Sequence, residues 1–389
     1  MKRIVFQTDS VLPHLTQIAT ITPVKSGIQI LESVKFQTID GGTKLLMMAS
    51  DNDTWVSVRC DIDEGDEGVS FCLNAKNVVS TLRNLAGLVV TMEIDDETHC
   101  VNGTYRNGKF TLPFQGVDLY PLCDVDVSLA DVRTIGAKNV YAAIDSVRFA
   151  SAQDDLRPVM NSVHFDFKPS LGESPHTMVV VASDGMKLIK YEDNNVREHW
   201  LGDGSMCGFT LPKKPSTLVA SLLCGETGTV DILFTDKNAA FRTEKFEIIT
   251  RLLEQRYPDY NRVIPDKNAF TCCAKINRDA ILGALKRVMP MGDSTMELVK
   301  LSFSTEKLTI SSENYAFSTS ATENIECVVD GVPITIGFKG SVLAQVVQNI
   351  RCDTVSMYLR DNSSAARLEP ETQLEGFEYV SILMPMLYN

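Results

Sequence analysis

No run of about 18 consecutive apolar residues occurs in the chain, and its opening, "MKRIVFQTDS", carries no apolar stretch ahead of a small-residue cleavage site. Neither a membrane-spanning helix nor a secretory leader is therefore expected, and the expected location is cytoplasmic. Histidine is scarce: His14, His99, His164, His176 and His199 show no i, i+4 spacing of the kind that holds zinc. The ten cysteines (Cys60, Cys72, Cys100, Cys123, Cys207, Cys224, Cys272, Cys273, Cys327 and Cys352) form no C-x-x-C pair. Scattered along a long chain without a leader, they are expected as mostly buried thiols rather than a disulfide frame. Phosphate-cradling loops are missing too. Neither Gly-x-x-x-x-Gly-Lys-Ser/Thr nor Gly-x-Gly-x-x-Gly occurs, and the stretch "GDGSMCG" at 202–208 is only a glycine-bearing loop. No cofactor and no metal are expected.

What is present is a repeat. A chain of 389 residues has room for two to three domains. Laid over one another, "LNAKNVVSTLRNLAGLVVTMEID" from Leu73, "LPKKPSTLVASLLCGETGTVDILFT" from Leu211 and "GFKGSVLAQVVQNIRCDTVSMYLR" from Gly337 share one plan. Lysine stands near the start of each, an apolar-periodic helix follows, and a strand closes the segment. Upstream lie strands ending in small polar turns, "KLLMMASDN", "TMVVVASDG" and "EKLTISSEN". Downstream comes a proline-marked end, at Pro121, Pro258 and Pro385, which makes the unit about a third of the chain. The corresponding domains are 1–129, 130–268 and 269–389.

Each unit has an earlier helix as well. Helical spacing joins Val11, Leu12, Leu15 and Ile18, then Val140, Ala143, Ile144 and Val147, then Ile281, Leu282, Leu285 and Val288. Asp9 and Asn277 stand where N-caps belong. Two amphipathic helices and about eight short strands per repeat make an α+β unit whose helices pack on antiparallel sheet.

Charge is sorted by element. Over the predicted helices 9–22, 73–86, 136–152, 213–224, 277–291 and 338–351 there are eleven basic and three acidic residues, a surplus of +8 in a chain of net charge −13, which leaves −21 for the remainder. Helix propensity does not account for this, because glutamate is as good a helix former as lysine and none lies in these spans. A shared surface facing a polyanion accounts for it; an ordinary solvated helix face is the alternative for any single lysine.

Four stretches carry a family resemblance: "AQDDLRPVMNSV" (152–163), "VVVASDGMKLIKYE" (179–192), "RYPDYNRVIP" (256–265) and "YVSILMPM" (379–386). In this order and at these separations the chain resembles, end to end, the bacterial DNA sliding clamp family, the beta subunit of the replicative DNA polymerase III holoenzyme. The resemblance implies three tandem repeats of the DNA-clamp fold and a head-to-tail homodimer closing six domains into a ring. It implies a non-catalytic processivity factor that encircles double-stranded DNA without reading its sequence. The implied partners are the polymerase catalytic subunit, the clamp loader, and repair and replication proteins carrying a clamp-binding peptide.

Carried over residue by residue, the family pattern implies phosphate-facing roles for Lys76, Arg83, Lys138, Arg148, Lys213, Lys214, Arg278, Lys339 and Arg351. Lys25 stands where the family carries a DNA-touching arginine on a loop, keeping the charge without the bidentate fork. A cleft for a short extended peptide with apolar and glutamine anchors is implied at Met160, Ser183, Gly185, Met186, Lys187, Leu188, Pro258, Arg262, Val263, Met296, Ala365, Ile382, Leu383, Met384, Pro385 and Met386. The dimer seam is implied to join Phe110 and Leu112, alternating with polar neighbours as on an edge strand, to the helix end at Met289, Pro290 and Met291. Departures from the family pattern are Met296 where an aromatic occurs, Leu387 in place of a basic residue, and the two extra residues Tyr388 and Asn389. They bear on which peptides are preferred.

Two further readings stay open from sequence alone. One is a protein-interaction scaffold that never meets DNA. The other is a metal-dependent hydrolase using the carboxylates of Asp51, Asp53, Asp154 and Asp155.

Overall fold

The computed structural model describes residues 2–127, 130–154, 156–168, 175–196, 207–388 and the backbone of 200–201. Two compact units result, each built from two stretches of chain: residues 1–142 with 197–254, and residues 143–196 with 255–389. Among the described residues there are six helices: α1 (Thr8–Ile18), α2 (Ala75–Arg83), α3 (Ala137–Val147), α4 (Lys213–Leu223), α5 (Arg278–Val288) and α6 (Gly340–Asn349). Their apolar stripes are buried: Val11, Leu15 and Ile18 on α1, Val78 and Leu82 on α2, and Leu343, Val346 and Val347 on α6. At about 1.5–3 kcal/mol for each large apolar side chain taken out of water, these stripes and not helix propensity hold the short helices in place.

Every helix is shorter than its apolar period suggests, and this relocates charges. Arg148 lies in a 3-10 turn after α3, Lys339 is the N-cap of α6, and Arg351 lies beyond its end. Eight basic and three acidic residues remain within the helices, so their surplus is +5 rather than +8. Asn277 caps α5 through its side chain, which accepts from the N–H of Ala280 at 2.9 Å. Asp9 is not a cap: it sits in the first turn of α1, and its carboxylate accepts from the N–H of Gly87 at 2.8 Å. Residues Met289–Met291, expected within the helix, form a separate 3-10 turn.

In the first unit one antiparallel sheet, of fourteen strands among the described residues, crosses from the first repeat into the second through the pairing of Thr54–Asp61 with Phe246–Arg251, Trp55 standing opposite Ile249. In the second unit the equivalent crossing pairs Lys187–Val196 with Phe377–Leu383, Leu188 standing opposite Ile382. The two crossings end alike. The N–H of Arg251 donates to the carbonyl of Asp53 at 2.9 Å, and the N–H of Met384 donates to that of Met186 at 2.8 Å.

This register overturns one expected equivalence. Pro121 and Pro258 follow their strands (Gly108–Gln115 and Phe246–Arg251) by six and seven residues, whereas Pro385 comes two residues after Phe377–Leu383. The third proline therefore lies at the strand end and is not the counterpart of the other two. The cysteines also differ from expectation. All ten are free thiols, but only Cys60, Cys72, Cys272 and Cys327 are buried, while Cys123, Cys207 and Cys224 are exposed at a connector, a strand start and a helix end.

Candidate functional site

A cavity of about 190 Å³ opens in the second unit. It is lined by Met160, by Ser183 through Leu188 except Asp184, by Tyr257, Pro258, Asp259, Tyr260 and Val263, and by Ile382 and Met384. Four segments meet here, and the two that supply most of the lining are each fixed locally. The turn after strand His176–Ser183 is clamped by Asp184, whose carboxylate accepts from the N–H groups of Met186 and Lys187 at 2.8 and 2.9 Å and from the Lys187 ammonium at 2.6 Å. Gly185 takes φ +91° in this turn, a conformation that a side chain would strain. The Ser183 hydroxyl closes the loop, donating to the Lys187 carbonyl at 2.8 Å.

The proline-bracketed connector is held from beneath. His164 and Asp166, two apart on strand Ser162–Lys168 and so on one face, each take one tyrosine. The His164 ring stacks on Tyr257 with centroids 4.6 Å apart and planes 7° apart. The Tyr260 hydroxyl donates to the Asp166 carboxylate at 2.7 Å. Burial, and for Tyr260 the carboxylate it faces, pushes both phenols above their ordinary range. At the far end, Arg367 donates to the Pro265 carbonyl at 3.1 Å while paired to Glu369 and Glu378, and Lys267 reaches Glu369 at 2.7 Å. Arg367 and Glu369 are 6% and 2% exposed, so each charge is answered inside the sheet rather than by water.

Of the sixteen residues the resemblance assigns to a cleft, ten line this cavity: Met160, Ser183, Gly185, Met186, Lys187, Leu188, Pro258, Val263, Ile382 and Met384. Six lie elsewhere. Leu383 alternates away from Ile382 and is 1% exposed, and Ala365 packs, half-buried, against the core cluster that contains Leu188, Tyr257, Tyr260 and Ile382. The Arg262 guanidinium is turned to solvent beside Asp259, and Met296 is half exposed in a loop. Pro385 and Met386 follow the lip, and the Met386 N–H donates to the Gly337 carbonyl at 2.8 Å. Sequence reasoning missed Tyr257, Asp259 and Tyr260. Tyrosines flanking Pro258 and recurring at Tyr120 before Pro121 were the available signal. The lips are methionine and valine: Met186, Met384 and Val263 are 41%, 45% and 54% exposed. An adaptable rim over a rigid aromatic floor suits an extended apolar segment.

The basic residues fall into two groups. Lys25, Lys76, Arg83 and Lys138 are exposed, and among the described residues no carboxylate pairs with them. Others are answered by acids: Lys214 by Asp51 at 2.8 Å and Lys339 by Glu297 at 3.7 Å from neighbouring elements, and Arg278 by the adjacent Asp279 of its own helix at 3.0 Å. Arg148 and Arg351 share Asp145, at 2.9 and 2.7 Å. Lys213 begins α4, half-buried.

Strand Gly108–Gln115 pairs along Gly108–Pro113 with Cys100–Tyr105, but on its other side, among the described residues, it pairs only at Phe114 and Gln115. The second edge along Lys109–Pro113 is thus open, with Phe110 and Leu112 half-buried on one face. The carboxylates considered for hydrolysis serve other ends: Asp51 holds Lys214, Asp53 lies 3.9 Å from Arg251 and Asp154 3.8 Å from Arg157. Asp155 and most of the 202–208 loop lie outside the described residues. Among the described residues no three His, Cys, Asp or Glu side chains gather as a metal site, and no helix is long and apolar enough to cross a membrane.

Residues 134–259 match the family described as DNA polymerase III beta subunit, central domain, and residues 261–386 match its C-terminal domain. A beta sliding clamp of Haemophilus influenzae is 24% identical over 381 residues, spanning 97% of this chain and 98% of that protein. One of Treponema pallidum is 24% identical, spanning 99% of each. Among solved structures, a sliding clamp of Bartonella birtlesii bound to griselimycin superposes with a TM-score of 0.87 at 20% identity, and the DNA polymerase III beta subunit of Thermotoga maritima with 0.86 at 20%, each covering 100% of both chains. They share the fold.

Proposed function

This chain belongs to the DNA polymerase III beta-subunit family, and on that premise we propose that it is the processivity factor of a replicative DNA polymerase, a non-catalytic ring-shaped homodimer that encircles duplex DNA and tethers its partners through the cleft of the second unit. In this reading the three domains are 1–129, 130–268 and 269–389, and the protein works in the cytoplasm. A clamp loader opens it onto DNA. Polymerase, loader and repair proteins compete for one cleft by inserting an extended peptide with apolar and glutamine anchors.

The observation that carries the reading is the cavity between Met186, Val263 and Met384. It combines a fixed floor, Tyr257 stacked on His164 and Tyr260 bonded to Asp166, with a yielding thioether rim. A site that must accept many related peptides needs both properties. The basic helices and their flanks supply phosphate contacts weak enough to slide, since enclosure and not grip retains the DNA. The open edge at Lys109–Pro113 supports closure of the dimer through Phe110 and Leu112 against the Met289–Met291 turn of the partner subunit, because an unpaired edge is a liability that a second copy covers.

The deciding experiment is primer extension on a primed circular template with the replicative polymerase and clamp loader. Adding the protein should convert short products into full-circle ones in single encounters. Product lengths unchanged by the protein would overturn the reading.

A further inference from the structure

The first unit holds a second copy of the junction that forms the cleft, on the same backbone but with different lips. Trp55 faces Ile249 where Leu188 faces Ile382, and Arg251 bonds to the Asp53 carbonyl where Met384 bonds to that of Met186. Tyr120, 7% exposed and followed by Pro121, lies against the end of its strand near Ser50, as Tyr257, 7% exposed and followed by Pro258, lies against Ser183. A buried tyrosine is therefore kept in both, clustered with Leu188 and Ile382 at the cleft and with Ile30 and Cys72 in the first unit. The rim is not. Asp53 stands in place of Met186 and Arg251 in place of Met384, and the connector after Pro121 brings Asp124 against Arg251. The Arg251 guanidinium donates to both oxygens of Asp124 at 3.1 Å, lies 3.9 Å from Asp53, and sits over the Trp55 ring at 5.9 Å.

Building on the cleft reading above, we propose that Arg251, held over Trp55 by Asp53 and Asp124, closes this first junction to apolar peptides and so limits the chain to one peptide site per protomer. Exposed pairs of this kind contribute little to stability, so folding does not explain why all three charges meet here. Their effect is on what can land. An apolar anchor pressed onto Trp55 would strip water from an arginine and two carboxylates without offering them a hydrogen bond, and that cost exceeds what the contact returns. At the second junction the same anchor meets two thioethers and a valine. The discrimination is by repulsion at one copy rather than by added attraction at the other.

The test is a binding count by calorimetry on the full-length protein, using a fluorescein-labelled pentapeptide with glutamine at one end and leucine and phenylalanine at the other. The unaltered protein should bind one peptide per protomer. Asp53→Met with Arg251→Met should bind two, the second at least about tenfold tighter than any binding at that place in the unaltered protein. Arg251→Met alone should show part of this gain, and Arg251→Lys none. A benzophenone-bearing peptide should label the Tyr120 segment only in the methionine variants. A double variant with an unchanged unfolding midpoint that still binds one peptide would overturn the proposal, as would two sites in the unaltered protein. No binding in the unaltered protein would instead remove the cleft reading itself.

Discussion

The backbone N–H of Met384 donates to the carbonyl of Met186 at 2.8 Å, tying the chain's last strand to the turn that Asp184 clamps. Both lips of the cleft thus hang on one hydrogen bond and one turn. Deleting residues 384–389 should remove one lip and release the other, lowering affinity for the peptide at least about tenfold while the dimer persists. Fluorescence anisotropy with sedimentation velocity checks both halves; undiminished affinity would refute the assignment of the lip.

The floor gives a separate expectation. Tyr260→Phe keeps the ring but leaves the Asp166 carboxylate without its donor, and a hydrogen bond to a charged group contributes about 1.5–3 kcal/mol. Urea unfolding should register a loss of that order, with unchanged m-value. Asp166→Asn, which still offers an acceptor, should lose less.

How much of this was legible from sequence depends on range. The apolar stripes of α1, α2, α5 and α6 lie where periodicity of 3.6 put them, because a stripe is a local pattern. The cleft's chain segments were legible only through the family pattern, and even so Leu383 alternates away from it. The crossings that join repeats, Trp55 to Ile249 and Leu188 to Ile382, were not legible, since their registers are fixed by residues nearly two hundred positions apart. That blindness produced the mistaken equivalence of Pro385. The same limit hid a pairing: Asp145 is counted with its own helix, yet it answers Arg351 from 206 positions away.

Acid should weaken the second unit in a specific window. Burial pushes the Glu378 carboxyl up, but the Lys190 ammonium bonded to it at 2.9 Å, with Arg367 and Lys267 nearby, outweighs this and holds it below the ordinary 4.5. A carboxyl depressed in the folded state adds stability above its unfolded pKa and loses it as pH falls through the folded value. Stability should therefore decline below about pH 4.5, and Glu378→Gln should flatten that part of the curve. Denaturant midpoints taken from pH 6 to pH 3 decide it; parallel curves for the two proteins would exclude this group as a source.

The seam makes a concentration-dependent expectation. Phe110 lies over Gly103 so closely that a Cβ there would come within 2.0 Å of the ring, which fixes the strand's apolar face. Leu112→Asp places a charge where a partner subunit would bury it, and should give monomers with little change in unfolding midpoint. Sedimentation equilibrium showing an undisturbed dimer would move the seam elsewhere.

Charge reversal distinguishes a DNA-facing surface from a solvated one, and the ion pairs say where to make it. Lys76 and Arg83 on α2 have no carboxylate partner among the described residues, whereas Arg351 is already half answered by Asp145. If phosphates are the missing partners, Lys76→Glu with Arg83→Glu should shorten retention on nicked circular DNA, and the deficit should be largest at low salt and narrow as salt rises. Each phosphate contact removed lowers the salt slope of binding by about 1, so the pair should lower it by about 2. Arg351→Ala should change the slope by less than either, because removing it frees Asp145 to pair with Arg148 alone. A scaffold that never meets DNA predicts flat retention for all three. A slope that falls equally for Arg351 and Lys76 would show that local ion pairing does not decide which cations meet the phosphates.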